Sequence, residues 1–254
     1  MAAQTLAIDD APRIEEYALN ASGASQAFVY DGWLIGARRG PTKRLRCVNP
    51  LYASTLPLAV KVAHCVDFYR RAALPPLFRL LSFQPRELDA WLEREGWQHY
   101  EPTPVMHVDL ASAPTPSLPE WRAEFVAMPQ WVEESAALHG HQGDVLAEAR
   151  ASALRYPLPQ AGAVIREGND VVATGVVKLE NGVAGVFGVV TEATRRNRGY
   201  GRAIMAALIG EARRLGARRA YLQVAASNAP AIHLYRQFGY APVYEYWYRR
   251  RVES

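Results

Sequence analysis

Cysteine is nearly absent: Cys47 and Cys65 are the only two in 254 residues, and they fit neither a disulfide framework nor a metal-ligand spacing. Inert thiols are expected, with no redox chemistry and no bound metal. An apolar run of about 18 residues, the length a membrane helix needs, is also missing. The first residues lack the basic start and apolar stretch of a secretory signal. These absences predict a soluble, cytoplasmic protein with no membrane partner. Charge of one sign is not concentrated either: 29 Lys+Arg stand against 25 Asp+Glu, giving +4, with arginines in both halves. A nucleic-acid binder would carry a denser basic stripe, so nucleic acid is not an expected partner.

Apolar residues make up 50% of the chain, enough for two modest cores. Residues 111–119 (ASAPTPSLP) are small, polar and proline-rich, and read as a linker between an N-terminal domain, residues 1–110, and a C-terminal one, residues 120–254. In the second, residues 121–128 predict a strand, and residues 130–138 and 145–156 predict helices joined by a loop carrying His139, His141 and Asp144. Val-rich runs at 161–166, 171–179 and 183–191 are separated by EGND and ENG, and Asn181-Gly182 marks a hairpin because both residues tolerate positive φ. Residues 201–215 carry Ile204, Leu208, Ala212 and Leu215 at helical spacing. A buried strand at 221–225, a short helix at 231–238 ended by Gly239, and the aromatic strand VYEYWYRR follow. Hairpins mixed with a crossover predict an α+β fold, a mixed and mostly antiparallel sheet flanked by helices.

Between the strand at 183–191 and the helix at 201–215 lies Arg196-x-x-Gly199-x-Gly201. Glycines let the backbone turn closely, and the first N–H groups of a helix have no internal partner, so such a turn can face an oxyanion such as a pyrophosphate. Neighbouring arginines add charge-assisted bonds. No Lys-Ser/Thr follows the last glycine and the spacing G-x-G-x-x-G is absent, which excludes the P-loop and the dinucleotide fingerprint. A strand-to-helix turn with solvated arginines is the plain structural alternative.

This element, followed in order by Asn228-x-x-Ala231-x-x-Leu234-Tyr235-x-x-x-Gly239-Tyr240, resembles the cofactor-binding and closing motifs of the GNAT superfamily of N-acyltransferases, over roughly residues 121–250. The resemblance implies the GNAT fold and transfer of an acetyl or other acyl group, from acetyl-CoA or another acyl-CoA, to a primary amine on a small molecule or peptide. It implies a splayed strand pair in which backbone groups of Val189, Val190 and Thr191 meet the pantetheine arm. The pyrophosphate would lie in a cradle formed by Arg196 and Asn197 with the main chain of Arg198, Gly199, Tyr200, Gly201 and Arg202. Asn228 would reach the pantetheine, and Tyr235 would protonate the departing thiolate. Many relatives place a carboxylate on the central strand as general base, but residues 183–190 hold none. Glu180 sits in the hairpin turn, about 30 Å from the strand's other end, and Glu192 is expected in solvent or in a salt bridge to Arg195 or Arg196; His139, His141 and Asp144 are the alternatives. A catalytically silent CoA-sensing or protein-binding module is the second reading, and either a monomer or a homodimer is compatible with the sequence.

The first half aligns with the second at a single offset of 143 residues without a gap: Gly96-Trp97 falls on Gly239-Tyr240, FRLLSF on YLQVAA, and LAVKVAHCVDFYRRA on GRAIMAALIGEARRL. This predicts a tandem pair with a shortened, degenerate N-terminal GNAT-like copy. Ala53, Leu56 and Leu58 stand where the second half has Arg196, Gly199 and Gly201, Pro85 replaces Asn228, and Leu92 replaces Tyr235. This half is expected not to bind CoA. Trp33, Arg38, Arg39 and Arg44 are candidates for lining an acidic acceptor's site, with a core tryptophan and solvated arginines as the default.

Overall fold

The structure, a computed structural model, describes residues 10–22, 27–38, 42–114 and 120–251. Two compact units emerge, and they interleave in sequence: Met1–Gly23 with Val105–Val243, and Ala24–Pro104 with Tyr244–Ser254. The expected division at residues 111–119 is not where these units part. The reason lies in three elements that cross the expected boundary. Helix α1 (Ala11–Ser22) belongs to the first unit, while β5 (Gln98–Asp109) and β11 (Ala241–Arg250) each begin in one unit and end in the other.

In the first unit, β6 (Glu124–Val126), β7 (Gln160–Glu167), β8 (Asp170–Glu180) and β9 (Val183–Thr191) form an antiparallel meander. The β8–β9 turn places Asn181 and Gly182 at φ 49° and 75°, as the Asn-Gly pair predicts. Helix α6 (Tyr200–Arg214) then crosses over to β10 (Arg219–Gln223), parallel to β9, and residues 105–109 of β5 pair antiparallel with β10. Ile204, Leu208 and Ala212, one helical turn apart, bury one face of α6 against Ala173, Val177 and Val186 of the sheet. Gly175 lets that helix sit close, since a Cβ there would come within 2.7 Å of both Ile204 and Leu208. The other sheet face carries α4 (Met128–His139), whose Trp131 packs on Gly162 and Gly188, while α5 (Gly143–Arg155) contacts α4 and α7 (Ala229–Gln237) follows β10.

The second unit pairs β1 (Ala27–Tyr30) with β2 (Trp33–Gly36) and β2 with β3 (Val48–Pro50), both antiparallel. Helix α2 (Leu58–Arg71) leads to β4 (Leu77–Leu81), parallel to β3, which pairs antiparallel with residues 246–250 of β11. Helix α3 (Glu87–Arg94) follows β4. The core gathers Trp33, Tyr69, Phe78, Leu92, Trp97 and Trp247. Cys65 is buried in it, and burial pushes its thiol up to about 12, which keeps it protonated and inert; Cys47 is also buried and in no disulfide, its thiol 3.5 Å from the Arg44 carbonyl.

Each unit thus contains an antiparallel strand pair, a crossover helix, a parallel strand, and an antiparallel closing strand. At the 143-residue offset, α2, β4, α3 and β5 start within one residue of α6, β10, α7 and β11. Ala73 and Gly96 (φ 51° and 80°) fall on Gly216 and Gly239 (φ 90° and 82°), so the left-handed helix ends match as well. The closing strands are exchanged: β5, from the first half of the sequence, closes on β10, and β11, from the second, closes on β4.

Candidate active site

Strand β9 runs for nine residues but pairs with β10 only at Val183, Ala184 and Gly185. Beyond Gly185 the two parallel strands part. The cause is visible on the other edge of β9, where Thr174 faces Val190 but Val176 faces Phe187, so β9 carries an extra residue. This bulge contains Gly188 at φ 58° and is held by Thr174 Oγ1 donating to the Gly188 carbonyl at 3.3 Å. A bulge raises the local twist and turns the strand away from its neighbour. Val189, Val190 and Thr191 therefore lie half-buried along an edge with no partner in β10, as the expected splay requires.

After β9, a 3-10 turn (Ala193–Arg195) leads into the glycine-bearing turn. Asn197 and Gly199 both have positive φ, 64° and 87°, and Gly199 is the N-cap of α6 with no side-chain cap. The first intrahelical bond runs from Ala203 N–H to the Gly199 carbonyl, so the preceding amides of the turn have no helical acceptor. Arg196 and Arg198 are exposed and make no ion pair among the described residues. Arg195 is committed elsewhere: it pairs with Glu167, with Glu192 at 3.1 Å and with Asp170 at 3.3 Å. Arg202 points to α7, donating to Gln237 Oε1 at 3.1 Å. An uncapped helix start beside two free guanidinium groups suits a phosphate-bearing ligand.

One contributor was not singled out in the sequence. The Trp121 indole N–H donates to the Arg198 carbonyl at 2.9 Å, and its ring lies 4.7 Å from that of buried Tyr200. Trp121 thereby pins the turn from the segment before β6. Its only sequence signal was a large aromatic just after a proline-rich stretch, which a strand also explains. Trp121→Phe keeps the ring contact but removes the donor; the expected outcome is a ~3- to 10-fold weaker binding of acetyl-CoA with little change in Tm, checked by calorimetry and thermal melting.

Helix α7 meets this turn from the far side. A Cβ on Gly201 would lie 3.2 Å from Leu234 and 3.9 Å from Thr191 Oγ1, so the end of β9, the start of α6 and Leu234 converge. The next residue, Tyr235, is buried, its ring 6.2 Å from that of Tyr240. Burial pushes the Tyr235 hydroxyl up to about 12, so it is protonated at neutral pH. Its oxygen bonds to no other described residue. Asn228 caps α7, its Oδ1 accepting from Ala231 N–H at 3.2 Å, which leaves the amide NH2 for another acceptor.

Glu180 accepts from the Asn20 amide at 3.0 and 3.2 Å, and Glu192 is tied to Arg195. His139 and His141 stack at 5.2 Å at the end of α4; His139 Nδ1 lies 2.8 Å from the Ser135 carbonyl, and Asp144 is exposed. Burial, and then the neighbouring His139, holds the His141 imidazole below its ordinary value. In the other unit, Trp33 is a core residue, Arg38 and Arg44 are half-buried, and Arg39 lies outside the described residues. Among the described residues no group of three or more His, Cys, Asp or Glu could hold a metal ion, and no helix is long and apolar enough to cross a membrane.

Residues 122–240, which contain the splay, the turn and α7, match the Acetyltransferase (GNAT) family model. The chain is 24% identical over 247 residues to the uncharacterized N-acetyltransferase YobR of Bacillus subtilis, covering 95% of this chain and 99% of that one. Among solved structures, a GCN5-related N-acetyltransferase from Kribbella flavida is similar with a TM-score of 0.71 at 20% identity, covering 98% of both chains. A tandem GNAT protein from the clavulanic acid biosynthesis pathway has a TM-score of 0.56 at 15% identity, covering 77% of this chain and 70% of that one. At these identities the two structures speak for the fold.

Proposed function

We propose, from the premise that residues 122–240 are an acetyltransferase domain of the GNAT family, that the protein transfers an acetyl or other acyl group from acyl-CoA to a primary amine. The observation that carries this reading is the convergence of the splayed edge at Val189, Val190 and Thr191 with the uncapped turn at Arg198, Gly199, Tyr200, Gly201 and Arg202 and with Leu234 of α7, the residue beside the protonated, unengaged Tyr235. The turn amides, with Arg196, Asn197 and Arg198, take the pyrophosphate. The edge of β9 takes the pantetheine amides, with the free NH2 of Asn228 opposite.

The amine nitrogen attacks the thioester carbon, a C–N bond forms, and the C–S bond breaks as the tetrahedral adduct collapses. Tyr235, pushed up to about 12 by burial, is a weaker acid than the departing thiol, whose pKa is about 8.5 on the cysteine scale, so its proton moves to the sulfur as the C–S bond breaks and negative charge gathers there, and not before. The amine's surplus proton leaves to solvent, and Tyr235 is reprotonated from it. Holding amine and thioester in one cleft supplies much of the rate. The first half, with Leu92 at the position of Tyr235 and Pro85 at that of Asn228, is a degenerate duplicate that serves the fold and not the chemistry. The matched element starts and left-handed helix ends support this.

Calorimetry with acetyl-CoA, followed by a panel of amine acceptors with free thiol as readout, tests the reading. One acetyl-CoA bound per chain and thiol release with at least one amine are expected; no binding sinks it. The lack of a carboxylate on β9 favours the second reading, a CoA-sensing or protein-binding module. Tight binding with no release above buffer for any amine would select that one.

A further inference from the structure

The turn before α2 in the first half occupies the position of the α6 cradle, with Thr55 and Leu56 matching Arg198 and Gly199. It is not empty of negative charge. Asp31, at φ 40° in the β1–β2 turn, sends its carboxylate into it. Oδ1 and Oδ2 accept from Thr55 N–H at 3.0 and 3.1 Å, Oδ1 also from Thr55 Oγ1 at 2.7 Å, and Oδ2 from Leu56 N–H at 3.0 Å. Behind them Lys61, wholly buried, brings its ammonium 3.2 Å from Oδ2, donates to the Asp31 carbonyl at 2.5 Å and to Ser54 Oγ, and lies 3.8 Å above the Trp33 ring. The tip is further fixed by Leu51 and Tyr52 N–H groups on the Gly32 carbonyl, each at 3.0 Å.

The corresponding hairpin in the other unit, β7–β8, also brings carboxylates toward its turn. There Glu167 and Asp170 are taken up by the Arg195 guanidinium. In the first half the equivalent carboxylate instead takes the backbone amides themselves.

We propose that the first half retains an anion-binding turn, that Asp31 is its built-in occupant in the place a phosphate would take, and that a small carboxylate can replace it when the side chain is removed. Four donor contacts from the turn and a buried ammonium make this a site for a compact oxyanion. Occupied from within, it is closed to a cofactor pyrophosphate. The inference rests on contacts within the second unit and holds whether or not the α6 turn binds CoA.

The test is thermal melting of the full chain with Asp31→Gly, a residue suited to the positive φ, in chloride and in formate at matched ionic strength. The variant is expected to melt ~3 °C or more below the parent in chloride. Formate should recover at least half of that, saturably, while leaving the parent unmoved. An unchanged Tm, or a formate shift equal in both proteins, overturns the proposal. Should Asp31→Gly fail to fold, Asp31→Asn keeps the shape without the charge. The amide donors hold the Asp31 carboxyl far below its ordinary value, so its stabilisation is complete above about pH 5 and fades as pH falls. The Tm gap between parent and Asp31→Asn should therefore narrow from pH 5 to pH 3. A gap as wide at pH 3 as at pH 7 overturns it.

Discussion

Replacing Tyr235 by phenylalanine is expected to lower kcat by ~10²- to 10³-fold while leaving the affinity for acetyl-CoA within about a factor of two, since loss of a general acid removes a transition-state interaction and little else. The ring itself is part of the core around Phe238 and Tyr240, and phenylalanine keeps that packing. The hydroxyl makes no bond to another described residue, so its removal strands no partner, and Tm should hold. The check is single-turnover kinetics, in which the acyl-transfer step is read apart from product release. A further consequence concerns pH. With the hydroxyl pushed up to about 12, the proton is in place throughout the neutral and mildly alkaline range, so ionisation of Tyr235 should impose no fall in kcat below about pH 10. Full turnover by the variant under chemistry-limited conditions would remove the acid role and leave Tyr235 as a packing residue.

Much of the C-terminal half was legible because its signals are local. Asn181-Gly182 fixes a hairpin by its own backbone preferences, the spacing of Ile204, Leu208 and Ala212 marks one face of one helix, and the glycine pair in the turn requires only near neighbours. What escaped was non-local. The bulge at Gly188 depends on how β9 registers against β8, and the Val-rich run carries no mark of it. Trp121 reaches Arg198 across 77 residues, which no spacing rule covers. The interleaving of the two units arises because β5 and β11 change partners, and a proline-rich stretch at 111–119 draws the eye to a boundary that strand exchange then crosses.

The same β–α–β crossover appears in both units, and what differs is the fate of a few amides in the turn that leads into the helix. In one unit, Arg195 holds the nearby carboxylates aside and glycine at position 199 keeps the backbone bare. In the other, Asp31 fills the turn. If both proposals hold, the crossover offers backbone amides to an oxyanion in each unit, and side chains decide whether they are open.

Closing that site with a side chain should therefore have a large effect. Gly199→Val is expected to weaken acetyl-CoA binding by about 30-fold or more, because valine at φ 87° carries ~1–3 kcal/mol of strain, which the turn relieves by leaving the geometry that aims its amides. Gly201→Val acts by space: its Cβ would stand 3.2 Å from Leu234, and the added methyls would push α7, and Tyr235 with it, off the start of α6. The two variants should thus part company in kinetics. The first should raise the Kd and spare the chemical step at saturating acyl-CoA; the second should lower kcat as well. Gly210→Ala, in the same helix with nothing within 4 Å of its added carbon, is the control and should bind as the parent does. Calorimetry on all three decides the matter: unchanged binding by Gly199→Val and Gly201→Val would mean that the turn is a simple connection, and that acyl-CoA, if it binds, is held elsewhere.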